Sequence, residues 1–194
     1  EEWKSDLNKA IELNPTHIST YNLKIEENTP LWNNQIIPNE DLDADIYEYT
    51  IEALTTKGYK HYEISNFAKP GFECKHNINY WKMGNWIGIG AGAHSQVDGK
   101  RWSNPESVED YISAIRVDRP LRPVGLRARP TRGTSETIFM GLRLIEGIDK
   151  SNFVGFEDEV QTLKNDGLLE EAGENIRLTH RGLMLGNLVF EKFV

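Results

Sequence analysis

Residues 39–65 read NEDLDADIYEYTIEALTTKGYKHYEIS and hold the clearest signals for secondary structure in the chain. Acidic residues crowd the start of this segment, and apolar residues from Leu42 to Leu54 recur with helical spacing. Gly58 stands where a helix terminator is expected. Tyr59–Ser65 then has the composition of a strand. The segment therefore predicts a helix over Asn39–Gly58 that leads directly into a strand.

The flanking segments continue this alternation of helix and strand. The spacing of apolar residues in Trp3–Leu13 predicts a first helix, and His17–Leu23 predicts the strand that follows it. Downstream, Trp86–Ser95 is apolar and rich in glycine, which is typical of a strand buried on both faces. Between the two, Asn66–Gly84 is predicted to be a long aromatic loop. This order of elements favours an α/β fold.

A change in composition divides the chain near residue 119. Residues 119–132 contain three prolines and five arginines, which predicts a linker. We expect residues 1–118 to form the α/β part and residues 133–194 to form a small α+β domain. In that domain two predicted helices precede a hairpin around Gly173, and a last helix covers Arg181–Phe193. This outline is that of a winged helix.

Composition disfavours several classes of protein. The chain has 194 residues, and 22 Lys and Arg against 30 Asp and Glu give a formal charge of −8, which disfavours a nucleic-acid partner. No stretch approaches the roughly 18 apolar residues of a membrane span, and no secretory signal is visible, so we expect a cytoplasmic location. The single cysteine, Cys74, cannot form an internal disulfide or supply the thiolates of an iron–sulfur cluster.

The densest group of chemically useful side chains lies in Phe72–Trp81, FECKHNINYW. His76 can offer a neutral imidazole nitrogen to a metal or to haem iron, and Tyr80 and Trp81 have flat faces against which a macrocycle could lie. The alternative is a loop that packs the two aromatic side chains into the core and uses His76 as a hydrogen-bonding anchor. The residues alone leave both interpretations open.

A second candidate is the glycine-rich stretch GIGAGAHS at Gly88–Ser95. Its glycine spacing formally fits a dinucleotide-binding pattern, but polar residues follow it where that pattern requires a helix, so the match is weak. The glycines would either let the backbone approach a ligand such as an adenine or ribose, or pack the strand tightly against a helix. No spacing of paired carboxylates, or of a nucleophile and a base, supports catalysis by this chain.

Three stretches resemble the HemW-type haem chaperones, a branch of the radical-SAM superfamily related to oxygen-independent coproporphyrinogen III oxidase (HemN). They are HYEISNFAKPGFECKHNINYW at residues 61–81, GIGAGAHS at residues 88–95 and LTHRG at residues 178–182. The resemblance implies that His76, Asn77, Tyr80 and Trp81 bind haem, with His76 as the ligand of the iron. Because the true oxidases lack this element, the chaperone outranks the oxidase as an interpretation.

The resemblance also implies a fold and further cofactors. Residues 1–118 would be the C-terminal part of a partial (β/α) radical-SAM barrel, and residues 133–194 a winged-helix-like HemN C-terminal domain. The chain looks like the C-terminal half of such a protein, whose N-terminal half would hold a 4Fe–4S cluster and most contacts to S-adenosylmethionine. Gly90, Ala93 and His94 are implied to approach the nucleoside of S-adenosylmethionine. We expect no redox catalysis from the chain by itself.

The function expected from the resemblance is haem binding and delivery of haem to haem-accepting proteins. Two alternatives stay open: an oxygen-independent coproporphyrinogen III oxidase-like enzyme of porphyrin biosynthesis, and a non-catalytic module that docks a partner protein. We expect no integral membrane segment. Half a barrel exposes strand edges and apolar faces, so self-association of the chain is also expected.

Overall fold

The computed structural model describes residues 1–33, 39–116, 129–130 and 134–193. The chain folds into two compact units: the first contains residues 1–74 and 144–146, and the second contains residues 75–143 and 147–194. Most of the predicted linker, residues 119–132, lies outside the described residues, so the division of the chain at that linker stays a prediction.

The first unit contains helices and strands in mixed order, as predicted. Its elements are α1 (Glu2–Glu12), β1 (His17–Ser19), α2 (Pro30–Asn33), α3 (Glu40–Thr56), β2 (Lys60–Glu63) and β3 (Asn66–Ala68). The order does not alternate strictly, because α2 is followed directly by another helix and β2 by another strand.

The helix predicted from the acidic segment is confirmed as α3. The side chain of Asn39 accepts a hydrogen bond from the Leu42 N–H at 3.0 Å, which satisfies one of the free donors of the first turn. Gly58 ends the helix with a φ of +84°, a conformation that favours glycine.

The three strands of the first unit form one antiparallel sheet with β3 in the centre. β1 pairs His17 with Ala68 and Ser19 with Asn66. The predicted strand His17–Leu23 is therefore too long, because β3 offers only three residues for pairing. On the open side of β2, Glu63 forms an isolated bridge with Leu144, and the Ile145 N–H donates to the Tyr62 carbonyl oxygen at 3.2 Å.

The core of the first unit lies between the two long helices and the sheet. It contains Leu7 of α1, Leu54 of α3, Tyr59 and Phe67. The Trp3 indole N–H donates to the Thr50 hydroxyl oxygen at 2.8 Å and joins α1 to α3. Burial of these side chains packs the two helices against the three-stranded sheet and stabilises both.

The second unit contains two further antiparallel sheets, ordered β4-β5-β6 and β7-β9-β8. Two short 3-10 turns, Lys150–Phe153 and Glu191–Phe193, complete it. Its elements are α4 (Lys75–Trp81), β4 (His94–Val97), β5 (Lys100–Ser103), α5 (Val108–Arg116), β6 (Arg129–Pro130), α6 (Thr134–Gly141), β7 (Ile148–Asp149), α7 (Glu157–Asn165), β8 (Leu169–Ala172), β9 (Asn175–Leu178), α8 (His180–Met184) and α9 (Gly186–Phe190).

The C-terminal part follows the sequence prediction except in its last helix and in strand β7, which the sequence does not predict. The predicted hairpin is confirmed as β8 and β9, and Gly173 lies between the strands with a φ of +67°. The helix predicted over Arg181–Phe193 is instead divided at Leu185, where φ is −112° and ψ is 29°. No helix among the described residues is long and apolar enough to cross a membrane.

The predicted loop and the predicted buried strand are both wrong. Asn66–Gly84 contains strand β3 and helix α4, because tertiary packing overrides the low helix and strand propensities of its asparagines. Residues 88–93 form an irregular loop, in which Gly90 has a φ of +105° that an extended strand does not allow. Ile87 and Ile89 are 59% and 86% exposed, so this stretch is not buried on both faces.

Candidate functional site

Helix α4 presents His76 and Tyr80 on one side, because residues four apart lie above one another on a helix. Their ring centroids are 4.6 Å apart and the ring planes meet at 77°, an edge-to-face contact. The His76 side chain is exposed, and within the described part of the chain no hydrogen bond occupies its ring nitrogens. Helix α4 thus presents an accessible imidazole that is held against an aromatic ring.

Trp86 extends this contact beyond the helix. The rings of Tyr80 and Trp86 have centroids 4.5 Å apart and planes at 67°, again edge to face. We call His76, Tyr80 and Trp86 the aromatic row. The guanidinium of Arg101 lies over the Trp86 ring at 5.5 Å and forms an ion pair with Glu136 at 2.7 Å. The aromatic row therefore begins at the exposed His76 imidazole and ends at Trp86, over which the Arg101 guanidinium lies.

Sequence reasoning missed Trp86 and Arg101 as members of this site. The apolar run that follows Trp86 has strand composition, so the sequence predicts a buried strand there, and that pattern gives no sign of this contact. A signal was present, since Trp86 follows Tyr80 by six residues across a glycine-containing turn. Arg101 carries no comparable local signal, because only the pairing of β4 with β5 brings it to the tryptophan.

Trp81 lies on a different side of α4 from the aromatic row. It is five residues after His76, which is a rotation of about 140° on an α-helix. The Arg143 guanidinium lies 5.3 Å from its ring and also lies over Phe139 and Phe190, at 4.9 and 5.3 Å. The Trp81 indole nitrogen is buried and makes no hydrogen bond to any described residue. Trp81 therefore anchors α4 within the second unit.

The turn between α4 and Trp86 is fixed by Asn79. Its carbonyl oxygen accepts from the Gly84 N–H at 2.9 Å, and its side-chain amide donates to the Asn85 carbonyl oxygen at 3.0 Å. A β-carbon added at Gly84 would lie 2.1 Å from the side-chain oxygen of Asn79, so the turn fits closely around this side chain. Asn77, predicted to bind haem, is half-buried on α4.

The glycine-rich loop at residues 88–93 is closed by hydrogen bonds that its own backbone N–H and carbonyl groups make within the protein. Asn104 is only 9% exposed, and its side-chain amide donates to two carbonyl oxygens of the loop. The bonds that close the loop are Gly88 N–H to Ser95 Oγ at 2.9 Å, Gly90 N–H to Tyr111 Oη at 3.1 Å, Gly92 N–H to the Pro105 carbonyl at 2.8 Å, Ala93 N–H to the Gly90 carbonyl at 3.4 Å, and Asn104 Nδ2 to the Gly88 and Gly90 carbonyls at 3.1 and 2.8 Å.

This bonding limits how the loop could meet a ligand. The N–H groups of Gly90 and Ala93 are already engaged, whereas the His94 side chain is exposed at the start of β4. A nucleoside would therefore meet the imidazole of His94 or backbone atoms other than those N–H groups. The contacts of Gly90, Ala93 and His94 to S-adenosylmethionine stay a prediction.

A separate polar cluster lies at one end of the strands of the first sheet, where β1 and β2 end and β3 begins. The Ser19 hydroxyl donates to the Asn66 side-chain oxygen, and the Asn66 amide donates to a carboxylate oxygen of Glu63. Glu63 is 2% exposed and also accepts from the Ser65 N–H at 3.0 Å. Burial, and then the nearby Glu63 charge, raise the pKa of Tyr47 above its usual value. The cluster stabilises the strand ends through its own hydrogen bonds.

The described residues contain no group of three or more His, Cys, Asp and Glu side chains arranged to hold a metal ion. Cys74 is half-buried and belongs to the first unit. Within the described part of the second unit, His76, His94 and His180 are exposed, and of these three only His76 is held against an aromatic ring.

Comparison with known proteins supports the relationship that the sequence suggested. The family model of the HemN C-terminal domain matches residues 134–185. The protein named heme chaperone HemW of Lactococcus lactis is 38% identical to this chain, over 98% of the chain and 54% of the relative. The protein of that name from Bacillus subtilis is 33% identical, over 97% of the chain and 53% of the relative.

One further HemW protein and one solved structure agree. Heme chaperone HemW of Escherichia coli is 34% identical, over the whole of this chain and 54% of its own length. The structure of E. coli coproporphyrinogen III oxidase (HemN), described as a radical SAM enzyme, matches with a TM-score of 0.67. That match covers 96% of this chain and 50% of HemN at 19% identity, which shows the fold alone.

The chain spans about half the length of the curated relatives it matches. The match to these relatives runs through both units of the structure. The chain is therefore, over 97–100% of its length, a homologue of proteins named heme chaperone HemW, and its residues 134–185 match the HemN C-terminal domain.

Proposed function

We propose that this chain binds haem through His76, as part of a chaperone that delivers haem to haem-accepting proteins. The observation that carries the proposal is the exposed His76 imidazole, which is held edge to face by Tyr80 and forms no hydrogen bond with any described residue. The relatives named heme chaperone HemW support haem as the ligand.

The residues around His76 fit haem as a cargo. A neutral imidazole nitrogen is a common axial ligand of haem iron, and Tyr80 offers an aromatic ring beside it. Lys75, exposed on the same helix, could pair with a propionate. Asn77 and Trp81 remain in the proposed site, and Trp81 contributes by holding α4 on its neighbours.

A 4Fe–4S cluster does not fit this chain, because Cys74 is its only cysteine and such clusters require several thiolates. We therefore assign no step to a cluster here. In the longer protein that the relatives represent, we propose that the cluster and most of the S-adenosylmethionine site lie in sequence that this chain lacks. We likewise propose that residues 1–118 are part of a partial (β/α) barrel and that residues 133–194 have a winged-helix-like fold.

The oxidase-like alternative is supported less well. It rests on the likeness to HemN, which at 19% identity concerns the fold alone. Among the described residues, no feature of the site favours decarboxylation over haem binding.

A haem titration tests the proposal. We expect the chain to shift the Soret band of added haem with saturation near one equivalent, and we expect His76→Ala to lose that shift. The matched control is His180→Ala, which removes another exposed histidine of the second unit. If His76→Ala binds haem with the spectrum and affinity of the unmodified chain, the assignment of the ligand is wrong.

Delivery is tested separately by mixing the haem-loaded chain with apomyoglobin. We expect haem to move to the acceptor faster than free dissociation into buffer allows. Transfer at the rate of simple dissociation would contradict the chaperone role while leaving haem binding intact.

A further inference from the structure

We infer that Trp86 is a positioning residue for His76 and acts through the ring of Tyr80. This inference rests on the proposed function, because it concerns the orientation of the imidazole that is proposed to bind haem iron. It adds a residue outside the HNINYW element, on the far side of a turn from helix α4.

Trp86 is held in place by its backbone. The Trp86 N–H donates to the Gln96 backbone carbonyl oxygen at 2.8 Å, and the Gln96 N–H donates to the Trp86 carbonyl oxygen at 2.9 Å. The Gln96 side chain is buried and donates to the carbonyl oxygens of Met83 and Gly84, at 3.0 and 3.3 Å. The same glutamine therefore fixes Trp86 and the turn that precedes it.

The side chain of Trp86 is held as well. Arg101 lies over its ring, and the Arg101 guanidinium is fixed by Gln96 Oε1 at 2.9 Å and by Glu136 at 2.7 Å. The Arg101 side chain is 33% exposed, so it reaches the surface while its bonds to Gln96 and Glu136 keep it over the ring. A tryptophan restrained at both backbone and ring is a rigid support for a neighbouring side chain.

Tyr80 transmits this restraint to the exposed end of the aromatic row. Its ring makes edge-to-face contacts with Trp86 on one hand and with His76 on the other. His76 is exposed, and the Tyr80 ring is its only aromatic contact among the described residues. Without Trp86 the Tyr80 ring gains rotational freedom, and the His76 ring loses the restraint that would orient it for binding iron.

The expected size follows from the contact that is lost. An edge-to-face aromatic pair stabilises its geometry enough to change an equilibrium by about 2- to 10-fold. We therefore expect Trp86→Leu to raise the dissociation constant for haem by about 2- to 10-fold and to broaden the Soret band of bound haem. Trp86→Phe keeps an aromatic edge and should restore most of the affinity.

A double-mutant cycle in the full chain tests the route through Tyr80. Haem affinity, the Soret spectrum of bound haem and the melting temperature are measured for Trp86→Leu, Tyr80→Leu and the double variant. Since the effect of Trp86 passes through Tyr80, Trp86→Leu should change affinity little when Tyr80→Leu is already present. Trp32→Leu is the matched control, because Trp32 is a 48% exposed tryptophan of the first unit.

The outcomes separate this inference from the proposed function. Failure of the unmodified chain to bind haem overturns the proposed function and this inference together. Binding that depends on His76 but is unchanged in Trp86→Leu overturns the inference alone. It is also overturned if Trp86→Leu lowers only the melting temperature, or if the effects of the two substitutions are additive. If Trp86→Leu does not fold, the comparison of Trp86→Phe with the unmodified chain decides, since the inference requires a near-native spectrum there.

Discussion

Asn104→Ala tests whether the glycine-rich loop is held by one buried side chain. The amide of Asn104 donates to the carbonyl oxygens of Gly88 and Gly90, at 3.1 and 2.8 Å, and the residue is 9% exposed. Each bond contributes about 1 kcal/mol, so its removal should cost about 2 kcal/mol. In a chain of this size that lowers the melting temperature by about 4–8 °C. Thermal unfolding by circular dichroism measures the loss.

The control for this prediction is Asn85→Ala. The Asn85 side chain also makes two hydrogen bonds, donating to Asp98 Oδ1 at 3.2 Å and accepting from the Asp98 N–H at 3.0 Å, but both residues are exposed. Water replaces these bonds in the variant, so we expect a loss below about 0.5 kcal/mol. Amide hydrogen exchange should also quicken at Gly90 in Asn104→Ala and stay unchanged in Asn85→Ala. Equal losses in the two variants would refute the argument from burial.

Two further predictions concern packing and pH. Gly182→Ala should cost about 1–3 kcal/mol, because the added β-carbon would lie 2.0 Å from the Leu168 carbonyl oxygen. Gly186→Ala meets only a side chain, at 3.2 Å, and should change stability by less than about 1 kcal/mol, so similar denaturant midpoints for the two variants would contradict the prediction. Burial lowers the pKa of His61 and of His17 below the usual 6.5. As the pH falls, these histidines are therefore protonated at a higher pH in the unfolded chain than in the folded chain. Their contribution to the free energy of unfolding is fully present above pH 6.5 and is lost as the pH falls toward the lower pKa values of the folded state. Denaturant unfolding between pH 5 and 8 should show a flatter pH dependence for His61→Phe, and an unchanged slope would disprove the assignment to His61.

The parts of the fold that were predictable from sequence are those with strong local signals. Helix α3 combines an N-terminal cap at Asn39, an apolar stripe and a terminal glycine, and the structure agrees at both ends. The hairpin around Gly173 is equally local. Such elements depend on interactions between neighbours in sequence, which a single chain displays directly.

The elements that were missed depend on distant partners. Strand β3 begins with Asn66, a residue of low strand propensity. Its place in the strand is set by the hydrogen bonds of its buried side chain with Ser19 and Glu63. The glycine-rich loop looked like a strand because its apolar residues suggested burial. Its geometry is set by Asn104 and Tyr111, which bond to it from more than ten residues away.

The candidate site was predictable in its centre and not at its margins. His76 and Tyr80 stand four residues apart and meet on one helix face, although their stretch was expected to be a loop. Trp86 and Arg101 join them only through the pairing of strands and the turn fixed by Asn79. Side-chain contacts of that kind depend on sheet register, which the sequence does not state.

Residues 144–146 affect when the first unit can finish folding during synthesis and how well it resists proteases. They complete the first unit beside β2, yet residues of the second unit precede and follow them in the sequence. During synthesis on the ribosome, the sheet edge at Tyr62 and Glu63 must wait for about eighty further residues before its last neighbour is translated. A chain that ends within residues 119–132 would keep every strand of that sheet but would lack residues 144–146. Without this neighbour β2 is exposed at the sheet edge, so proteases should cleave the shortened chain readily along β2.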